Sequence, residues 1–178
     1  MSLEEYMPKV NTLTLDTGDM FPHLEFDSFQ GDRIVLPEYL KGSWGVVLFY
    51  RGDWWPYWIA QLAAFSRAGE KLEAEGIKVV AGSVDSNEIV AKTVEKTKAN
   101  FPIACDLDPV LISEKTGAMY QPDKGDKPRP FLHSTNFLLS PEGKVNISLY
   151  SSGPLGKLVW QDIIQAVQFR KKKMASEK

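Results

Sequence analysis

Val46-Val47-Leu48-Phe49-Tyr50 is apolar without a break. A strand with one face in water alternates apolar and polar residues, so this run predicts a strand over 45–50 that is covered on both faces. Shortly after it, Trp58, Leu62, Phe65, Ala68 and Leu72 recur at intervals of three and four. That spacing is the apolar stripe of one helix over 56–76, with Pro56 suited to its first turn, Gly76 to its end and Gly69 as a weak point inside. A doubly covered strand followed at once by a helix requires a sheet with helices packed on its faces, and the rest of the chain continues in that pattern.

The residues before the strand read as an irregular lead-in (1–16, of which Met1-Ser2-Leu3 resembles a vector remnant) and a short hairpin carrying Leu24, Phe26, Phe29, Ile34 and Leu36 between glycine turns. Beyond the helix, 77–84 is rich in β-formers. Residues 85–100 then read as a helix opened by an Asp85/Glu88 capping box. "FPIAC" (101–105) is a short strand, and 108–117 a short helix closed by Gly117. "QPDKGDKPRP" (121–130) is a loop, 134–150 a hairpin turning at Pro141-Glu142-Gly143, and 155–173 a final amphipathic helix, with 174–178 as a tail. The expectation is an α/β fold: one domain over 17–173, with a mixed central sheet flanked by helices and an N-terminal hairpin extension.

Composition narrows the function. A net charge of −2 gives no general attraction to nucleic acid or anionic membrane, and no apolar run approaches the roughly 20 residues of a membrane span. The basic run Arg170–Lys173 reads as a complement to the last helix's dipole. One cysteine, Cys105, excludes an intrachain disulfide and suits a cytoplasmic setting. Two histidines, His23 and His133, are too few for a Cys/His zinc site, and no metal or cofactor is expected. Gly153-Pro154-Leu155-Gly156-Lys157 has the wrong glycine spacing for a phosphate loop and reads as a turn and helix start. Asp106 and Asp108 read as caps of the 108–117 helix rather than as an acid/base pair.

What remains is the junction itself, Arg51-Gly52-Asp53-Trp54-Trp55-Pro56-Tyr57-Trp58, which crowds three indoles and a phenol into five positions. Its frame, together with "GDMFPHLEFDSFQGDRIVLPEYLKGSWGVVLFYRGDW" and "FLLSPEGKV", resembles the peroxiredoxin group of thioredoxin-fold proteins, the alkyl hydroperoxide reductase/thiol-specific antioxidant family, over about residues 17–170. One branch of that group carries Arg-Gly-Asp-Trp-Cys-Pro-Tyr-Cys here. In this chain Trp55 and Trp58 stand at the two cysteine positions, Trp58 where the peroxidatic thiol of the family aligns. The resemblance implies a thiol-dependent peroxidase, yet indole has one N–H donor and no lone pair with which to attack a peroxide. The family's arginine before the late strand aligns with Ser134, beside His133, while Thr135 falls near the cis-proline position of thioredoxins. Arg129 lies in the loop five residues earlier.

The sequence therefore predicts no catalytic residue and a redox-inactive protein with a binding or assembly role. Its candidate contact residues are Arg51, Asp53, Trp54, Trp55, Tyr57, Trp58, Ser134 and Thr135. Three uses of the aromatic cluster stay open: a plug for the vacated thiol space, a homodimer contact, and a pocket for a small ligand or protein partner. Asp53 is the loop's polar candidate, against the plainer role of bonding loop amides. The alternative function is a thiol-dependent peroxidase or oxidoreductase, either through Cys105 as the sole thiol or because Trp55 and Trp58 stand in for native cysteine or selenocysteine. Cys105 otherwise reads as a small buried hydrophobe.

Overall fold

The computed structural model describes residues 13–122 and 129–177. The apolar run forms β3 (Trp44–Phe49), every residue of it buried, at the centre of a five-stranded sheet. Two other strands precede it: β1 (Leu24–Asp27) and β2 (Arg33–Leu36) make the antiparallel N-terminal hairpin. On one side β3 pairs in parallel with β4 (Ile77–Gly82), which pairs in parallel with the two-residue β5 (Ile103–Ala104). On the other side it pairs antiparallel with β8 (Thr135–Leu139), and β8 with the edge strand β9 (Val145–Tyr150). A small separate ribbon joins β6 (Tyr120–Gln121) to β7 (Phe131–Leu132). The sheet is mixed and has an N-terminal hairpin beside it, as the pattern requires.

The unbroken run is explained by what lies above and below it. Val46, Leu48 and Tyr50 face one core, shared with α1 (Pro56–Arg67), α2 (Gly69–Ala74), α3 (Asn87–Thr97) and α5 (Trp160–Ser176) through Trp58, Leu62, Phe65, Leu72, Val90, Ile163 and Val167. Val47 and Phe49 face a second core, shared with the hairpin and α4 (Pro109–Thr116) through Phe26, Ile34, Leu36 and Ile112. Successive strand side chains point to opposite faces, so both sets must be apolar.

Several boundaries differ from expectation. The single helix over 56–76 is two. The chain departs from helical geometry at Ala68, which caps α1, and resumes at Gly69. Ser66 and Asn100 fasten this break, the Ser66 hydroxyl donating to the Lys98 carbonyl and the Asn100 amide donating to the Ser66 carbonyl at 3.3 Å. The apolar stripe survives the break because Trp58, Leu62, Phe65, Ala68 and Leu72 all remain buried. Asp85 does not cap α3. Ser86 takes the N-cap position without a side-chain bond, because the Asp85 carboxylate is turned elsewhere. Asp108 does cap α4, accepting from Val110 and Leu111, and Gly117 closes that helix at φ +79°. Asp106 is no cap: it occupies a left-handed turn at φ +53°, its N–H donating to the Asp85 carbonyl.

The last helix starts at Trp160, five residues later than expected, because the stretch before it is held extended across the sheet end. There the Leu158 N–H donates to Asn136 and the Leu158 carbonyl accepts from Gln61. Gly153–Lys157 is therefore loop rather than helix start. The same helix runs on to Ser176, so the tail assigned from 174 is mostly helical and the basic run Arg170–Lys173 lies inside it. Most of the 1–16 lead-in and the centre of the 121–130 loop fall outside the described residues.

Candidate functional site

The strand–helix junction lies at the C-terminal end of β3, where Tyr50 and Arg51 are still buried and the chain turns at Gly52 before α1 begins at Pro56. Gly52 has φ +143°, a conformation side-chain-bearing residues avoid, and a Cβ there would stand 2.8 Å from Trp54 Nε1 and 3.1 Å from Asp85 Oδ1. The turn divides the aromatic residues into two sets. Trp58 points into the core and is 0% exposed, packed with Tyr50, Leu62 and Val90. Trp54 (38% exposed) and Tyr57 (52%) reach solvent, and Trp55 lies between, half-buried, its Nε1 donating to the Pro154 carbonyl at 3.0 Å.

Beneath the outer rings sits a buried cation. The Arg51 guanidinium is 4.4 Å from the centroid of Phe131, 5.1 Å from Trp55 and 5.3 Å from Trp54. Weak hydration of guanidinium and the negative ring faces make such stacking favourable for arginine. Trp54 and Phe131 themselves meet edge to face at 5.3 Å, and Phe131 continues to His133 at 5.2 Å. His133 is buried, and its imidazole is pushed down to about 4, first by loss of solvent and then by the nearby Arg51 charge, so it is neutral at pH 7. Lys157 covers the other flank. Its ammonium donates to the Tyr57 carbonyl at 2.8 Å and lies 5.8 to 5.9 Å from the rings of Trp58 and Tyr57, and burial lowers its pKa.

A charge cluster pins the turn. The Asp53 N–H donates to Asp85 Oδ2 at 2.9 Å, and one Arg129 nitrogen stands 3.2 Å from both Asp53 Oδ1 and Asp85 Oδ1. Asp53 is thus an ion-pair partner rather than an acceptor for its own loop's amides. Asp85 is 1% exposed, and burial raises its carboxyl pKa despite the Asp53 N–H and the Arg129 charge, which oppose the rise.

Ser134 and Thr135 are buried at the start of β8. The Thr135 hydroxyl donates to the His133 carbonyl and the Ser134 hydroxyl accepts from the Asn136 amide, so both serve the strand end beside the loop. Cys105 is not with them. It follows β5, two strands from β3 in the sheet, half-buried with Asn87 and the Asp27 carbonyl at 3.8 Å, and burial raises its pKa. The site thus contains rings, one buried cation and an ion-pair cluster, and no thiol.

Residues 17–148 match the model of the AhpC/TSA family. The chain belongs to that family. Among curated relatives, the peroxiredoxin of Chlorobaculum tepidum is 32% identical over 157 residues, covering 85% of this chain and 70% of that protein. The 1-Cys peroxiredoxin PER1 of Triticum aestivum is 27% identical over 160 residues, covering 86% and 72%. The fold recurs in the solved structures of Enterococcus faecalis AhpC (TM-score 0.74, 17% identity, 93% of this chain and 98% of that one) and of a peroxiredoxin 6 of Arenicola marina (TM-score 0.74, 22% identity, 86% and 72%). Family membership and the thioredoxin-like fold agree with the sequence resemblance.

Sequence reasoning passed over three parts of this site. The cap rule assigns Asp85 to α3, although a carboxylate just past the C-terminal end of a buried strand is equally placed to serve a neighbouring strand's loop. Phe131 and Lys157 carried no local signal, because only the sheet brings them to the junction.

Proposed function

We propose that this AhpC/TSA family member is redox-inactive and that its junction, residues 51–58, serves binding or assembly. The observation carrying this reading is Trp58. The resemblance places Trp58 at the family's thiol position, and its indole is completely buried. An indole there supplies no nucleophile and leaves no room at its position for a peroxide. The sole thiol offers no substitute, since catalytic cysteines are acidified by cations or helix N-termini and Cys105 is shifted in the opposite sense. The exposed rings of Trp54 and Tyr57, with Leu155 and Val159 also exposed in the segment whose Pro154 and Lys157 bond to Trp55 and Tyr57, supply the apolar surface for a partner or ligand.

The test is peroxide consumption by purified protein whose intact mass matches tryptophan at both 55 and 58, assayed with hydrogen peroxide and with cumene hydroperoxide, using dithiothreitol as reductant. Expected is a rate no greater than that of the Cys105→Ser variant or of reductant alone. Turnover that Cys105→Ser abolishes would overturn the reading in favour of a single-thiol peroxidase, and turnover that survives it would overturn the reading outright.

A further inference from the structure

Asp85 is the buried anchor of the turn that carries Trp54 and Trp55, which is tied on its other side by the bond from Trp55 Nε1 to the Pro154 carbonyl. Asp85 uses Oδ2 to accept the Asp53 N–H and Oδ1 to face Arg129, which also holds Asp53. At its start the turn rests on Gly52, whose φ of +143° glycine reaches without strain, and α1 begins at Pro56 with no side-chain cap. Opening it would lift the rings of Trp54 and Trp55 from the Arg51 guanidinium.

We propose that Asp85 is a proton-operated latch on the tryptophan turn, closed while its carboxylate is charged and released when it is protonated. Neutralisation removes half of the negative charge facing Arg129 and turns a charge-assisted acceptor for the Asp53 N–H into a weaker neutral one. The groups facing Asp85 are Asp53 from the turn, Arg129 from the segment leading into β7, Tyr50 from the end of β3, and the Ser83 hydroxyl, which accepts from the Asp85 N–H. Tyr50 is buried and its phenol is pushed up, so it stays neutral throughout; beside burial, which raises the Asp85 pKa, Arg129 opposes the rise and the Asp53 charge adds to it. Burial raises the pKa of Asp85, so its proton binds before those of ordinary exposed aspartates as pH falls.

The five tryptophans make the latch observable. Acrylamide quenching of tryptophan emission is followed from pH 7.5 to 3.5, with far-UV circular dichroism to confirm that the chain stays folded. Expected is a rise in quenching with its midpoint above about 4, the ordinary aspartate value. The rise should persist in His133→Phe, which removes the other buried group titrating in this range among the described residues. Arg129→Met should move the midpoint to higher pH, because the opposing cation is gone. Asp85→Asn should be highly quenched already at pH 7.5 and show no midpoint. A flat profile in the natural chain, or a midpoint unmoved by Arg129→Met, would overturn the latch. So would a transition that survives Asp85→Asn and disappears in His133→Phe. If Asp85→Asn does not fold, the Arg129→Met midpoint decides.

Discussion

Trp58 and Tyr57 are neighbours in sequence with opposite fates. Trp58 is locked among Tyr50, Leu62 and Val90, while more than half of Tyr57 is in water. Truncating a buried indole removes its transfer energy and leaves a cavity, so Trp58→Ala should lower the unfolding free energy by about 3–5 kcal/mol in urea titration. Tyr57→Ala should stay within about 0.5 kcal/mol, as surface substitutions do. A ring that stabilises nothing is free to act as a contact. His133 makes a different claim at this scale. Its folded pKa is about 4, below the ordinary 6.5, so the native imidazole is neutral where the unfolded one takes up a proton. Its contribution is full above pH 6.5 and declines as pH falls toward 4. Between pH 7 and 5 the natural chain should lose roughly 2 kcal/mol more stability than His133→Phe, compared by urea unfolding at both pH values.

Elements were legible where their signal was local. Asp108 with Pro109 and Gly117 announced α4 at both ends, and the helix carries both caps. Removing the carboxylate that satisfies the Val110 and Leu111 amides should cost about 1 kcal/mol, measured as the loss of unfolding free energy in Asp108→Ala. The break at Ala68 was legible only as the weak point at Gly69, because the stripe of buried residues keeps its phase through it, and its fastening lies in Ser66 and Asn100, 34 residues apart. Asp85 shows the reverse error. Its local environment, three residues before Glu88, satisfies the cap rule, yet a main-chain amide 32 residues away competes for the same carboxylate and wins. Local patterns rank local partners only; once a sheet brings strand ends together, a distant donor at 2.9 Å outweighs them.

Across the molecule, one uninterrupted apolar strand implied a doubly covered sheet, and its two cores lie on the two faces as that requires. The altered junction was equally visible as a string of residues, but its inner architecture was not, since Phe131, His133, Pro154 and Lys157 come from the far side of the chain. That distance also has a bearing on how the molecule assembles. Trp55 is tied to Pro154 across 99 positions and Lys157 to Tyr57 across 100. Contacts that close such long segments repay their entropy only after the intervening chain has collapsed. The indoles can therefore settle over Arg51 only once β8, β9 and the stretch beyond them are in place, which makes this corner a late arrival in folding and a register of whether the whole chain has come together.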